Sequence, residues 1–201
     1  SWVRANSSYA FSVSRAVCAC SAVVANAIMF ARVIVIVQVI EPELAMRLVR
    51  PIGAMALVAL VAAGVLWVLS ARQQGASDHP ETELENPFSL GPAIKFGLFF
   101  VAILFIARFA REWFGDHGLY AASALAGLAD VDAITLSIAD QVLKQSLVLN
   151  VAAIGITIAV VSNSLVKSGI AFYWGGRAFG QTVALCLALS TAAGLVILAL
   201  I

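Results

Sequence analysis

The sequence predicts an all-α, polytopic transmembrane helical bundle of about six spans, and three observations lead there. Of 201 residues, 62% are hydrophobic and 11% charged, whereas soluble domains carry about 25% charged residues. The apolar residues collect into runs long enough to cross a hydrocarbon core of about 30 Å, which takes roughly 17–25 helical residues. Proline, glycine and charged residues stand between the runs and mark turns. The whole of 1–201 reads as a single membrane domain and, without a Met at Ser1, as a fragment of a longer chain.

The first predicted helix covers 16–40 and carries Asn26 and Arg32 within its apolar run; Glu41-Pro42-Glu43 ends it. The second, 51–70, starts at Pro51, because the first turn of a helix has no use for the missing N–H. An aqueous acidic loop, 71–92, follows with Asp78, His79, Glu81, Glu83 and Glu85, which lack the spacing of a calcium loop. The third helix, 93–109, is rich in phenylalanine and closes at Arg108 and Arg111. The turn after it places Trp113, Asp116 and His117 at the interface. The fourth run, 119–143, contains Asp130 and Asp132 and ends at Lys144. The fifth helix, 147–172, carries Asn163 and Lys167 four residues apart on one face. A glycine-rich turn, Gly175 to Gly180, leads to the sixth, 181–201; it lacks the Lys-Ser or Lys-Thr ending of a phosphate loop.

The fourth run carries the chemistry. An aspartate at the centre of a membrane helix costs about 2.5–3.5 kcal/mol on insertion scales, so a pair of them implies partners, water or a function. On one intact helix Asp130 and Asp132 point about 200° apart. Asp130 shares its stripe with Ser123, Gly127, Ser137 and Gln141, small and polar residues suited to the bundle side. Asp132 lies with Leu128, Thr135 and Ala139 and needs either a second neighbour or an interrupted helix near Ala129 to Asp132. Transporters place such breaks at ion sites.

Several classes are excluded on composition. A net charge of +1 gives no basic field for nucleic acid. Cys18, Cys20 and Cys186 lie in apolar runs without ligand spacing. No serine or cysteine nucleophile has a histidine inside the membrane, and diverging aspartates do not form a proton-sharing protease dyad, so the chain reads as a non-enzyme. Orientation stays open: Arg4, Arg15, Arg72, Lys95 and Lys144 fall on one side, and Arg47, Arg50, Arg108, Arg111 and Arg177 on the other.

Ala22-Val23-Val24-Ala25-Asn26 matches Ala159-Val160-Val161-Ser162-Asn163, and Ala-Ala-Gly recurs at Ala62 to Gly64 and Ala192 to Gly194. With six spans this pairs helices one and two with five and six in the same direction, a parallel repeat.

Asn86-Pro87-Phe88, Gly118-Leu119-Tyr120, Gly127 through Thr135, Ser162 through Lys167 and Gly175-Gly176-Arg177 together resemble the C-terminal membrane domain of unknown function in MgtC/SapB-type bacterial membrane proteins. The resemblance implies a multi-pass location in the bacterial inner membrane and an upstream MgtC-like membrane segment of the same protein. The family label suggests magnesium, although MgtC-like proteins are also regarded as regulators.

Two functions follow. In the first, Asp130 and Asp132 bind a cation or relay protons, with Thr135, Asn163 and Lys167 completing the site and Asn26 and Arg32 as secondary polar groups. Magnesium, which keeps several waters and uses one or two carboxylates, is the metal this pair would take. In the alternative, the same residues form a buried charge network in a structural or regulatory module. The expected partners are the lipid bilayer, the upstream segment and further copies of the chain.

Overall fold

The computed structural model describes residues 2–71 and 117–200, with isolated positions 94, 98, 101, 102, 105 and 115; within the first helix, side chains are described from Val17 onward. The acidic loop from residue 72, most of the third predicted helix and the turn at Trp113 and Asp116 lie outside the described residues. Among the described residues every regular element is helical: α1 (Trp2–Ile40), α2 (Pro42–Ala71), α3 (residues 117–129), α4 (Val131–Leu143) and α5 (Leu149–Ala199). Three are long and apolar enough to cross a membrane, within Val17–Ile40, Pro42–Ala71 and Leu149–Ala199. The six spans of the sequence reading therefore do not emerge as six long helices.

α1 and α2 form an antiparallel pair joined through Glu41 alone. Its N–H bonds to the Val37 carbonyl at 2.8 Å, and its carbonyl receives the Ala45 N–H at 3.1 Å. Helix α2 starts at Pro42, not Pro51, because Pro42 already supplies the favoured first-turn proline. Pro51 then sits buried inside the helix. A Cβ added at Gly194 of α5 would come within 2.8 Å of the Pro51 carbonyl oxygen, so α5 packs closely against α2 at the proline.

α5 is bent sharply at Gly176, whose φ of 77° and ψ of 166° belong to a region open to glycine. A Cβ at Gly180 would lie 2.6 Å from Phe172 Cα, so the chain doubles back and its two arms, 149–175 and 177–199, run antiparallel. The predicted turn over Gly175 to Gly180 shrinks to one residue. Gly175 and Gly180 remain helical and give Phe179 and Phe172 room to pass. The second arm packs on α2, where Ser190 Oγ donates to the Met55 carbonyl at 2.6 Å.

The fourth predicted helix is two. It breaks at Asp130, and its halves fold back on one another. A Cβ at Gly155 would touch Ser123 Oγ at 3.2 Å and Leu119 Cδ2 at 3.7 Å from α3, and Ile138 Cδ1 at 3.3 Å from α4. Fifteen residues of continuous helix would separate Ser123 from Ile138 by about 22 Å. α3 and α4 are thus arms of a helical hairpin with Asp130 at its tip, and α4, 13 residues long, reaches only about 20 Å. Leu119, Ile138, Ile156 and Phe30 are fully buried between this hairpin, α1 and the first arm of α5.

Direction corrects the repeat. Asn26 of α1 lies beside Ser164 and Lys167 of α5, while Glu41 at the end of α1 shares a cavity with Leu149 at the start of α5. The two matching segments run antiparallel, so the repeat is inverted, not parallel.

Candidate functional site

Asp130 has extended backbone, φ −155° and ψ 131°, and caps α4: its Oδ1 accepts the Asp132 N–H at 3.1 Å. Aspartate is a strong N-cap because a helix start leaves N–H groups without partners. The Asp130 N–H in turn bonds back to the Ala126 carbonyl of α3 at 2.8 Å.

α5 supplies side-chain donors to carbonyls in the last turns of α3, among them Gly127, which lies beyond the helix's own hydrogen-bond ladder. Asn163 Nδ2 donates to the Gly127 carbonyl at 3.0 Å, and Ser162 Oγ donates to the Ala124 carbonyl at 2.7 Å. Gly127 permits this approach: a Cβ there would stand 2.4 Å from the Ala159 carbonyl oxygen. The turns of α3 that lead into the tip are therefore held by side chains from a long neighbouring helix.

Resetting the helix at Asp130 also changes which face of α4 looks inward. Ser123 and Gly127 of the predicted polar stripe are buried, but Ser137 is exposed; Gln141, half-buried with its Oε1 enclosed and without a partner, donates from Nε2 to Ser137 Oγ at 3.2 Å. Thr135 and Ala139 are fully buried instead. Asp132 shares their face and meets α1, where its Oδ2 lies 2.5 Å from Arg32 Nη2. Its Oδ1 is buried without a hydrogen-bond partner, as are the Thr135 and Ser123 hydroxyl oxygens.

Lys167 of α5 donates to Asn26 Oδ1 at 3.0 Å and contacts Met29 Sδ at 3.1 Å. Asn26, fully buried, donates weakly to Ser164 Oγ at 3.4 Å, and that hydroxyl donates to the Val160 carbonyl at 3.0 Å. Among the described residues no carboxylate lies within salt-bridge distance of Lys167. A cavity of about 260 Å³ separates these groups, and Arg32, Asp130, Asn163 and Lys167 supply its polar lining.

The structure thus brings together Asn26, Arg32, Asp130, Asp132, Asn163 and Lys167. Thr135 is sealed in the core and does not line the cavity. Met29, Ser162 and Ser164 complete the arrangement and were not among the predicted site residues. Met29 follows Asn26 by three residues, which puts both on one helix face, and that spacing was the available signal.

As a metal site the arrangement fits poorly. Among the described residues no group of three histidine, cysteine or acidic side chains is close enough to hold an ion. Asp132 is engaged by Arg32, and the cavity is lined by two cationic heads beside the single carboxylate of Asp130. Magnesium would have to use Asp130 and the Asn163 carbonyl oxygen against the repulsion of Arg32 and Lys167.

An uncharacterised protein of Aquifex aeolicus (strain VF5) is 42% identical over 107 residues, a match covering 52% of this chain and 46% of that protein. The chain thus matches about half the length of that relative. No solved structure matches. The domain of unknown function DUF4010 matches residues 4–175, which take in the hairpin, its tip and the cavity-lining residues of α1 and α5, and the chain belongs to that family.

Proposed function

We propose that the chain is a multi-pass inner-membrane protein that handles protons or small ions at the tip of the α3–α4 hairpin. One observation carries the reading: a helix break meets two long apolar helices at a cavity lined by an acid, an amide and two basic residues. Irregular backbone at membrane depth is tolerated only beside protein or a water-filled cavity, and secondary transporters build ion sites from such broken helices at the interface of inverted repeats. The antiparallel relation of α1 and α2 to the arms of α5 agrees with that plan.

In this reading α1, α2 and the two arms of α5 cross the bilayer, and with the predicted span at 93–109 there are five crossings. The sixth apolar run is the re-entrant hairpin, which enters and leaves on one face. Lys144 and Arg177 then exchange sides, and the basic residues still divide five to five. The likeness to MgtC/SapB-type proteins adds an upstream membrane segment as a partner.

Asp132 and Asp130 are the proton carriers in this proposal. Asp132 has one oxygen held by Arg32 and the other without a partner, an arrangement that a proton on Oδ1 would complete if a nearby acceptor or water received it. The Arg32–Asp132 pair also favours a second reading, a charge network that only locks α1 to the hairpin. Purified protein in liposomes containing a pH-sensitive dye separates them. Acidification under an imposed potential, abolished by Asp130→Asn and retained in Asp140→Asn, is the expected result. No flux above that of empty liposomes, from protein that is monodisperse and folded, selects the structural network.

A further inference from the structure

We propose that the cavity at the hairpin tip receives a small oxyanion, a carboxylate or phosphate, between Arg32 and Lys167. The proposal rests on the ion-handling reading of the same cavity and names the chemical class of its occupant.

A guanidinium has five N–H donors, and the Arg32 pair with Asp132 is made through one nitrogen and one oxygen. An ammonium has three, and Lys167 faces one amide oxygen and a thioether, a weak acceptor. On the acceptor side, Asp130 Oδ1 is committed to the cap of α4, which leaves Asp130 Oδ2 and the Asn163 carbonyl oxygen facing the cations. Spare donors on two cations therefore outnumber the remaining acceptors. The N-terminal end of α4, which starts at the cavity-lining Val131, adds further partial positive charge.

Geometry agrees. The Arg32 side chain is 57% exposed against 26% for Asp132, so much of the guanidinium fork is left uncovered by protein. A planar fork suits the two oxygens of a carboxylate or phosphate, and a nearby lysine adds a point charge. About 260 Å³ accommodates such an anion with several waters, each taking about 30 Å³.

Arg32 cannot fully serve Asp132 and a ligand at once. An oxyanion that takes over the fork leaves Asp132 with neither oxygen partnered, so the carboxylate and the ligand compete for one guanidinium. Removing the carboxylate therefore frees the fork for the ligand.

The test is calorimetric titration of the purified full chain with acetate, with inorganic phosphate and with chloride as the non-oxyanion control. Saturable binding of acetate or phosphate is expected, and whichever binds identifies the source chemistry. Arg32→Gln and Lys167→Gln should each weaken binding at least tenfold. Asp132→Asn should tighten it, and Arg50→Gln should leave it unchanged. Should the variants not fold, competition on the wild-type protein decides: acetate or phosphate binding that survives an excess of chloride supports the proposal, and displacement by chloride overturns it. Absence of saturable binding, or binding indifferent to Arg32 and Lys167, also overturns it. Proton flux that depends on Asp130 without oxyanion binding would sink this proposal and leave the proton reading standing; binding without flux would do the reverse.

Discussion

Gly127→Ala should uncouple the hairpin from α5. An added Cβ would sit 2.4 Å from the Ala159 carbonyl oxygen, 2.7 Å from its Cα and 2.9 Å from its carbonyl carbon, all backbone atoms that cannot rotate away. Ordinary contact requires about 3.4 Å or more, so α3 and α5 must separate by roughly 1 Å. That movement stretches the 2.7 Å bond from Ser162 to Ala124 and the 3.0 Å bond from Asn163 to Gly127 beyond useful length. Losing two such bonds costs about 0.5–1.5 kcal/mol each, and overpacking typically costs about 1–3 kcal/mol. A total near 2–6 kcal/mol corresponds to a fall of roughly 4–24 °C in Tm for a chain of this size. The assay is thermal unfolding of the detergent-solubilised protein, with Gly64→Ala as the control. Gly64 has nothing within 4 Å of its virtual Cβ, and alanine there should gain about 0.5–1 kcal/mol from helix propensity. Equal melting of the two variants would refute the close packing of α3 on α5.

Two other perturbations probe separate parts of the structure. Arg32→Gln and Asp132→Asn should each destabilise the protein, while the double variant should lose less than the sum. The coupling expected from thermal unfolding is about 1 kcal/mol or more, and strict additivity would mean that the pair is not formed. Gly176→Ala imposes a side chain at φ 77° and ψ 166°, which should cost about 1–3 kcal/mol. An unchanged Tm for that variant would argue against the hairpin in α5.

The helical class and the helix break were legible in the sequence. Membrane helices must satisfy their backbone internally, so apolar runs announce themselves, and two acids in one run announce an exception. Asn26, Asn163 and Lys167 were legible for the same reason, as costly polar groups in apolar surroundings. The backfolding of α3 on α4 was not. Hydrophobic periodicity reports which face of a helix is buried, but a single extended residue at Asp130 redirects the chain without changing composition. That residue also resets the register, which is why Ser137 turned outward while Thr135 turned inward. The parallel repeat failed with the span count, since direction across a membrane depends on whether the intervening run crosses it.

Whether that run crosses is the point on which the account turns, and side-specific labelling tests it directly. In a background lacking Cys18, Cys20 and Cys186, single cysteines replace His117, Lys144 and Arg177, all exposed positions. Sealed vesicles of known orientation are treated with a membrane-impermeant maleimide. A re-entrant hairpin requires His117→Cys and Lys144→Cys to react from one side and Arg177→Cys from the other. Reaction of His117→Cys and Lys144→Cys from opposite sides would mean that residues 119–143 span the bilayer, and the hairpin with its tip cavity would have to be abandoned.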